Sequence, residues 1–350
     1  MFRVDSLRKL QSGCMLFVDG KNVYYLTGFT GEGCLLVTPA SAVIITDFRY
    51  VEQCERQAPE CVLEQTTREK GRSAIIKKYL DDAGAKELYV ETGILTVDAF
   101  RALSKDLEGI TLNDMPPVLR DMRMVKSDEE IKAICKAAII SCDAFEALLK
   151  QLKPGMTEKY ACAILEHEMR LRGSEGPAFD TIVASGVNGS LPHAVPSDKK
   201  IESGELVTFD FGASSMGYCS DMTRTVAVGR ISYELNKIYD AVYTAHMMAL
   251  EQVRPGVITK DLDTIAREYL EKRYPGAFGH SLGHGVGLNI HESPAVSTRG
   301  DTVLQKGHVI TIEPGVYLKG LGGCRIEDTV IVTDTGFIDP YTVSKQLIVV

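Results

Sequence analysis

The strongest constraint on this chain is the set of acidic residues embedded in apolar runs of its last two-fifths. Asp210 lies within the run 206–211 and Glu313 within 309–316. Acidic side chains are depleted in such strand-forming contexts and, once buried, need a partner. Each has a companion: Asp210 and Asp221 flank Ser215-Met216, and Glu313 and Glu327 flank the glycine-rich segment 319–323. If 214–217 is a turn, Asp210 and Asp221 face each other across an antiparallel pair, with Cβ atoms about 4.5–5.5 Å apart. Carboxylates that close repel unless a cation or a shared proton lies between them. His284, in Gly283-His284-Gly285-Val286-Gly287, adds an imidazole. Two acidic hairpins and a histidine are the donor set of a two-metal hydrolytic site.

An isolated Asp beside a turn is usually a turn former, and an isolated His beside glycines is usually structural. The position of Asp210 and Glu313 inside apolar runs, not in the turns, weighs against that reading. A mostly carboxylate site with one imidazole suits manganese, cobalt, zinc or ferrous iron, and lacks the thiolates of a structural zinc site. Four carboxylates balance two dications about 3.5–4 Å apart, which can hold a hydroxide between them.

At 350 residues and 45% hydrophobic content the chain suits two globular domains. A net charge of −8 argues against nucleic acid as the main partner. The nine cysteines are scattered, odd in number and without a Cys-x-x-Cys, which points to buried thiols in a reducing compartment. The N-terminal residues lack a signal-peptide core, and no apolar run reaches the ~18 residues of a membrane span. A soluble, cytoplasmic protein without a membrane partner is expected.

In the N-terminal third, 15–18, 23–26, 34–37 and 42–46 read as strands, with Asp19-Gly20 as a turn. Helical spacing covers 67–83 and 97–107, with a strand at 87–90, so a small mixed α/β domain is expected. Asp47-Phe48-Arg49-Tyr50 reads as a strand end or a partner surface. Pro116-Pro117 breaks any helix, and the domain boundary is placed between residues 122 and 123.

The remainder is repetitive. Ser127-Asp128-Glu129-Glu130 has the form of a capping box, and a long helix follows to Pro154-Gly155. A second helix covers 157–172. About a hundred residues later Val253-Arg254-Pro255-Gly256 resembles Leu152-Lys153-Pro154-Gly155, again between a long helix (231–252) and another (261–272). Each copy leads into an acidic hairpin, so an α+β domain built from a duplicated helix–helix–hairpin unit is expected, with the site between its halves. His193, His280, His284 and His291 fall in glycine- or proline-marked segments, whereas His167, His246 and His308 read as structural or surface residues.

These motifs resemble the pita-bread metallopeptidases, specifically the proline-directed branch of Xaa-Pro aminopeptidases and Xaa-Pro dipeptidases. Residues 23–31, Val-Tyr-Tyr-Leu-Thr-Gly-Phe-Thr-Gly, resemble the start of a creatinase-type N-terminal domain, and Met124-Val-Lys-Ser-Asp-Glu-Glu-Ile the entry to the catalytic domain. The resemblance implies hydrolysis of the Xaa-Pro bond at the N-terminus of short peptides by a metal-bridging hydroxide. It implies that Asp221 and Glu327 bridge two metals, that Asp210 binds one, and that His284 and Glu313 complete the other. Glu313 is then also the general base. His193 and His291 contact substrate, His280 lines the proline pocket, and Tyr317 and Arg325 support the site. A homodimer is implied too. A metal-free creatinase-like hydrolase and a non-catalytic peptide-binding module share this fold, but the complete ligand set argues against both.

Overall fold

The computed structural model describes residues 2–350. The chain divides into two compact units, Met1–Met122 and Arg123–Val350.

The first unit is built on a mixed six-stranded sheet. Its elements are α1 (Val4–Leu10), β1 (Met15–Phe17), α2 (Gly20–Thr27), β2 (Cys34–Val37), β3 (Ala42–Thr46), α3 (Val51–Gln57), β4 (Val62–Gln65), α4 (Arg72–Asp82), β5 (Glu87–Val90), α5 (Val97–Asp106) and β6 (Thr111–Asp114). The strand order is β4-β3-β2-β1-β5-β6. Leu16, Leu36, Val43 and Ile45 meet Ile75, Ile76 and Leu80 of α4 in its core. The expected strand at 23–26 is wrong: these residues belong to α2. Asp19, expected in a turn, caps this helix by accepting from the Lys21 amide, and Gly28 ends it at φ 83°. Cap chemistry at both ends outweighs the β preference of Val23, Tyr24 and Tyr25. Asp47 likewise caps a short 3₁₀ turn, Phe48–Tyr50.

Helix α6 (Val118–Met124) leads into the second unit. There α7 (Asp128–Leu149) starts at the expected capping box of Ser127 and Glu130. Then come α8 (Glu158–Leu171), β7 (Ile182–Ser185), β8 (Glu205–Phe211), β9 (Ser214–Ser215), β10 (Tyr218–Cys219) and β11 (Met222–Val228). The second copy is α9 (Tyr233–Leu250), α10 (Thr259–Glu271), β12 (Gly283–Gly285), β13 (Glu292–Val296), β14 (Val309–Ile312), β15 (Gly315–Leu318), β16 (Gly322–Arg325) and β17 (Glu327–Val332), followed by β18 (Phe337–Ile338) and β19 (Ile348–Val349). The large sheet runs β13-β12-β14-β17-β11-β8-β7. Its two halves therefore mirror each other: β7, β8 and β11 on one side, β12, β14 and β17 on the other, joined where β11 pairs antiparallel with β17. This is the duplicated α+β unit expected from the repeat.

Helices cover the sheet in the same duplicated way. Phe145 of α7 packs on Phe209 and Phe211 of β8, both with ring centroids 5.4 Å away. Such pairs add about 0.5–1.5 kcal/mol each beyond burial. Helices α9 and α10 bury Val242, Ala245 and Leu262 against Ile310, Ile312 and Val330.

The hairpin registers decide where the acids meet. In the first, Met216 and Gly217 have φ of 53° and 75°, the two positive values of a type I′ turn. The turn is centred one residue later than expected, so Asp210 opposes Thr223, not Asp221. Asp221 sits in the break just before β11. In the second hairpin, Ile312 pairs with Asp328 and Gly315 with Arg325. Glu313 therefore faces Glu327, as expected.

No helix among the described residues is long and apolar enough to cross a membrane. All nine cysteines are unbridged.

Candidate metal centre and substrate cavity

The mirrored strands deliver their acids to one place. Asp210 comes from the end of β8 and Glu313 follows β14, the equivalent strands of the two halves. Asp221 precedes β11 and Glu327 opens β17, again equivalent. His284 is the central residue of β12, an extended segment, so the four-residue spacing from His280 does not reflect a helix face. Asp210, Asp221, His284, Glu313 and Glu327 all line one cavity of about 360 Å³, together with His193, His280, His291 and Arg325. Its apolar wall includes Phe179, Ile182, Pro192, Ile290 and Ala295. Of the residues singled out in the sequence, only Tyr317 stands behind this lining; its hydroxyl reaches both Arg325 and His280.

Asp221, His284 and Glu327 each offer a ligand atom within 4.8 Å of the others. His284 Nδ1 lies 3.1 Å from the Gly285 carbonyl. Donation there leaves the Nε2 lone pair facing Asp221 at 3.5 Å and Glu313 at 3.3 Å. Burial pushes the His284 imidazolium down to about 4, so the ring is neutral at pH 7 and directs a lone pair at carboxylates. Burial raises Asp221 well above the usual carboxylate range, and the nearby charges of Glu327, Asp210 and Glu313 add to it. Burial, with Glu313 and Asp210, does the same to Glu327. Glu313 is pushed up to about 8, chiefly by burial, with Asp210 adding and Arg325 opposing. Asp210 Oδ1 is buried without a hydrogen-bond partner. An orphaned carboxylate oxygen, an inward imidazole lone pair and mutually repelling acids all fit divalent cations.

Neighbouring residues hold the donors in place. Thr223 donates to Glu327 Oε2 at 2.7 Å. Thr311 donates to Glu313 Oε1 at 3.3 Å and accepts from the His284 amide. Arg325 reaches Asp210 Oδ2 at 2.5 Å, Thr223 Oγ1 at 3.2 Å and the Pro192 carbonyl at 3.3 Å. Arg325 also donates to the Tyr317 hydroxyl at 2.7 Å. That hydroxyl can then donate to His280 Nε2 at 2.9 Å, leaving Nδ1–H for the Ser281 carbonyl at 2.8 Å. This chain keeps His280 neutral, in line with burial lowering it to about 4. The His284 and His291 rings meet edge to face at 4.3 Å. Thr223 and Thr311 were not anticipated from sequence. Each stands two residues from a ligand, Asp221 or Glu313, and the two-residue period of extended chain was the signal available.

Residues 132–334 match the model of Metallopeptidase family M24, and residues 4–125 match the Creatinase/Prolidase N-terminal domain. An Xaa-Pro dipeptidase of Pyrococcus horikoshii is 39% identical over 341 residues, 95% of this chain and 93% of the relative. The solved structure of an Xaa-Pro dipeptidase from Bacillus anthracis matches with a TM-score of 0.96 and 38% identity over 99% of both chains. That of an X-Pro aminopeptidase from Thermotoga maritima matches with a TM-score of 0.92 and 37% identity, over 99% of this chain and 100% of the other. The mixed N-terminal unit and the pita-bread unit are shared with these solved structures.

Proposed function

The chain belongs to metallopeptidase family M24, and on that premise we propose that it hydrolyses the Xaa-Pro bond at the N-terminus of short peptides. The observation that carries this is the convergence of five metal-type donors and three further histidines on one cavity with an apolar wall. The catalytic machinery is assigned to residues 123–350, and residues 1–122 to the creatinase-type domain. Asp221 and Glu327 would bridge two divalent ions, Asp210 would complete one site, and His284 and Glu313 the other. Bound there, the ions supply Lewis acidity toward the scissile carbonyl and lower the pKa of water.

The remaining work falls to the chain's own side chains. Glu313 takes the proton of the attacking water and holds it for the leaving nitrogen. His193 and His291 donate to the substrate oxygen as it gains charge. His280 and the apolar wall accept the pyrrolidine ring. The proline nitrogen carries no hydrogen, so the pocket must recognise shape where other peptidases read an N–H. Arg325 and Tyr317 hold Asp210 and His280. Manganese is the first candidate ion for this donor set. A homodimer is proposed by family resemblance, and nine unbridged cysteines support a cytoplasmic setting.

The test compares Xaa-Pro, Xaa-Pro-Yaa-Zaa and Xaa-Ala-Yaa-Zaa as substrates of the manganese- or cobalt-loaded protein. The kcat/KM of the better Xaa-Pro substrate is expected to exceed that of Xaa-Ala by at least about tenfold. The ratio of the two Xaa-Pro substrates distinguishes a dipeptidase from an aminopeptidase. Equal cleavage of Xaa-Pro and Xaa-Ala would overturn proline specificity.

A further inference from the structure

The loop that carries His193 runs from 186 to 197 and has little regular structure of its own beyond one 3₁₀ turn, Gly186–Ser190. Yet both of its ends converge on a single carboxylate outside the cavity. Glu158, the first residue of α8, is fully buried. Its Oε1 accepts from the Ser185 amide at 2.7 Å, the Ser185 hydroxyl at 2.8 Å and Asn188 Nδ2 at 3.1 Å. Its Oε2 accepts from the Ser197 amide at 3.0 Å, the Ser197 hydroxyl at 2.6 Å and Asn188 Nδ2 at 3.1 Å. One side chain thus ties the residue before the loop, a residue inside it and the residue that ends it.

From this geometry we propose that Glu158 is a positioning residue for the reaction, acting through His193 by closing the loop that presents it. The proposal rests on the reading of His193 as a substrate-contacting group.

Three observations carry it. First, burying a carboxylate costs several kcal/mol unless its lone pairs are met, and here every donor comes from the loop or its base. Burial pushes the Glu158 carboxyl up, but the bonds from Ser197, Ser185 and Asn188 outweigh it and hold the group below its ordinary value. Second, the fold does not demand a carboxylate at this place. The duplicated half begins its equivalent helix, α10, with Thr259. There the segment after β12, which carries His291, is held differently: Glu292 accepts from the Asn289 amide at 2.9 Å and meets Lys126 Nζ at 3.5 Å. Third, the middle of the 186–197 loop lies against the strand that carries Arg325. A Cβ on Gly323 would fall 2.1 Å from the Gly189 carbonyl oxygen, and the Pro192 carbonyl accepts from Arg325. With both ends pinned by Glu158 and the middle seated on β16, the backbone that carries His193 is held at the rim of the cavity that His193 lines.

The test is a double-mutant cycle in the metal-loaded protein. Glu158→Gln keeps the shape but turns an NH₂ group toward donors. It is expected to lower kcat/KM about 10- to 100-fold, the loss of one or two hydrogen bonds to a charged group. Amide hydrogen exchange should rise in 186–197 and stay unchanged in β8 and β17. In a His193→Ala background the same change should cost less than about threefold more, because the loop then has nothing left to present. If the two losses multiply in full, or exchange in 186–197 does not rise, Glu158 does not act through His193. If His193→Ala alone leaves kcat/KM intact, the reading of His193 fails and takes the proposal with it. Should Glu158→Gln not fold, Asn188→Ala and Ser197→Ala each remove donors while leaving the carboxylate in place. The same cycle with them supports or overturns the proposal by the same criteria.

Discussion

Glu313→Gln is expected to lower kcat/KM by at least about 10³-fold, combining the loss of a general base with the weakening of a metal ligand. Glu313 stands 3.3 Å from His284 Nε2 and 4.0 Å from His280 Nδ1. It therefore lies where both the metal donors and the proline-side histidine can reach it. Glutamine preserves its length and its bond from Thr311 but carries neither charge nor basicity. In metal-free protein burial and Asp210 push the Glu313 carboxyl up to about 8, so at pH 7 it is largely neutral, as glutamine is, and the thermal midpoint of the variant should be no lower than that of the wild type. Loss of turnover without loss of stability separates a chemical role from a structural one. Turnover within tenfold of the wild type would mean that Glu313 is neither the base nor an essential ligand.

The largest stability effect is expected behind the site. Arg224 is almost wholly buried. It bonds Asp328 Oδ1 at 2.6 Å, the carbonyls of Thr223 and Glu327 at 2.9 and 2.7 Å, and the Val343 carbonyl at 3.1 Å. Asp328 also meets His246 Nε2 at 3.0 Å and Lys345 Nζ at 3.3 Å. Arg224→Met leaves a buried carboxylate short of its main counter-charge, which costs about 3–5 kcal/mol. The pH dependence follows from the sign of the shift. Burial pushes Asp328 up, but Arg224, His246 and Lys345 outweigh it and hold its carboxyl well below the usual range. A depressed carboxyl stabilises the fold above its unfolded value, about 3.9, and that stability is lost as pH falls through the folded value. In Arg224→Met the depression is largely gone. The stability gap to the wild type should therefore be widest near neutral pH and narrow as Asp328 protonates in acid. Guanidinium unfolding at pH 7 and at about pH 3, below the unfolded value, measures it. A gap below about 1 kcal/mol at pH 7 would show that the remaining partners of Asp328 suffice.

Both residues illustrate what the sequence makes legible. Glu313 could be found because an acid inside 309–316 breaks an apolar pattern. Its register could be found because the glycines at 320, 322 and 323 mark the hairpin's centre. Arg224 sits in a run where every residue of β11 is buried, and its partner Asp328 is 104 residues away. The turn of the first hairpin lies one residue beyond the expected position because a non-glycine, Met216, takes positive φ, which residue type alone does not announce. The helix at Gly20–Thr27 was hidden by β-forming residues, although its caps Asp19 and Gly28 stood in plain view. Glu158 could not have been picked out, since its anchors at Ser185 and Ser197 lie 27 and 39 residues away. Ligands declare themselves by breaking local pattern; the residues that hold them in place become visible only once the sheet is assembled.

The most direct test counts ions. The stripped protein is titrated with manganese while bound metal per chain and Xaa-Pro cleavage are followed together. Five donors from two mirrored hairpins and one strand should take up two ions per chain, activity should rise from none as they bind, and Asp210→Asn should reduce the count. Full activity in the stripped protein, or saturation at a single ion with Asp210→Asn unchanged, would contradict a two-metal centre built from Asp210, Asp221, His284, Glu313 and Glu327.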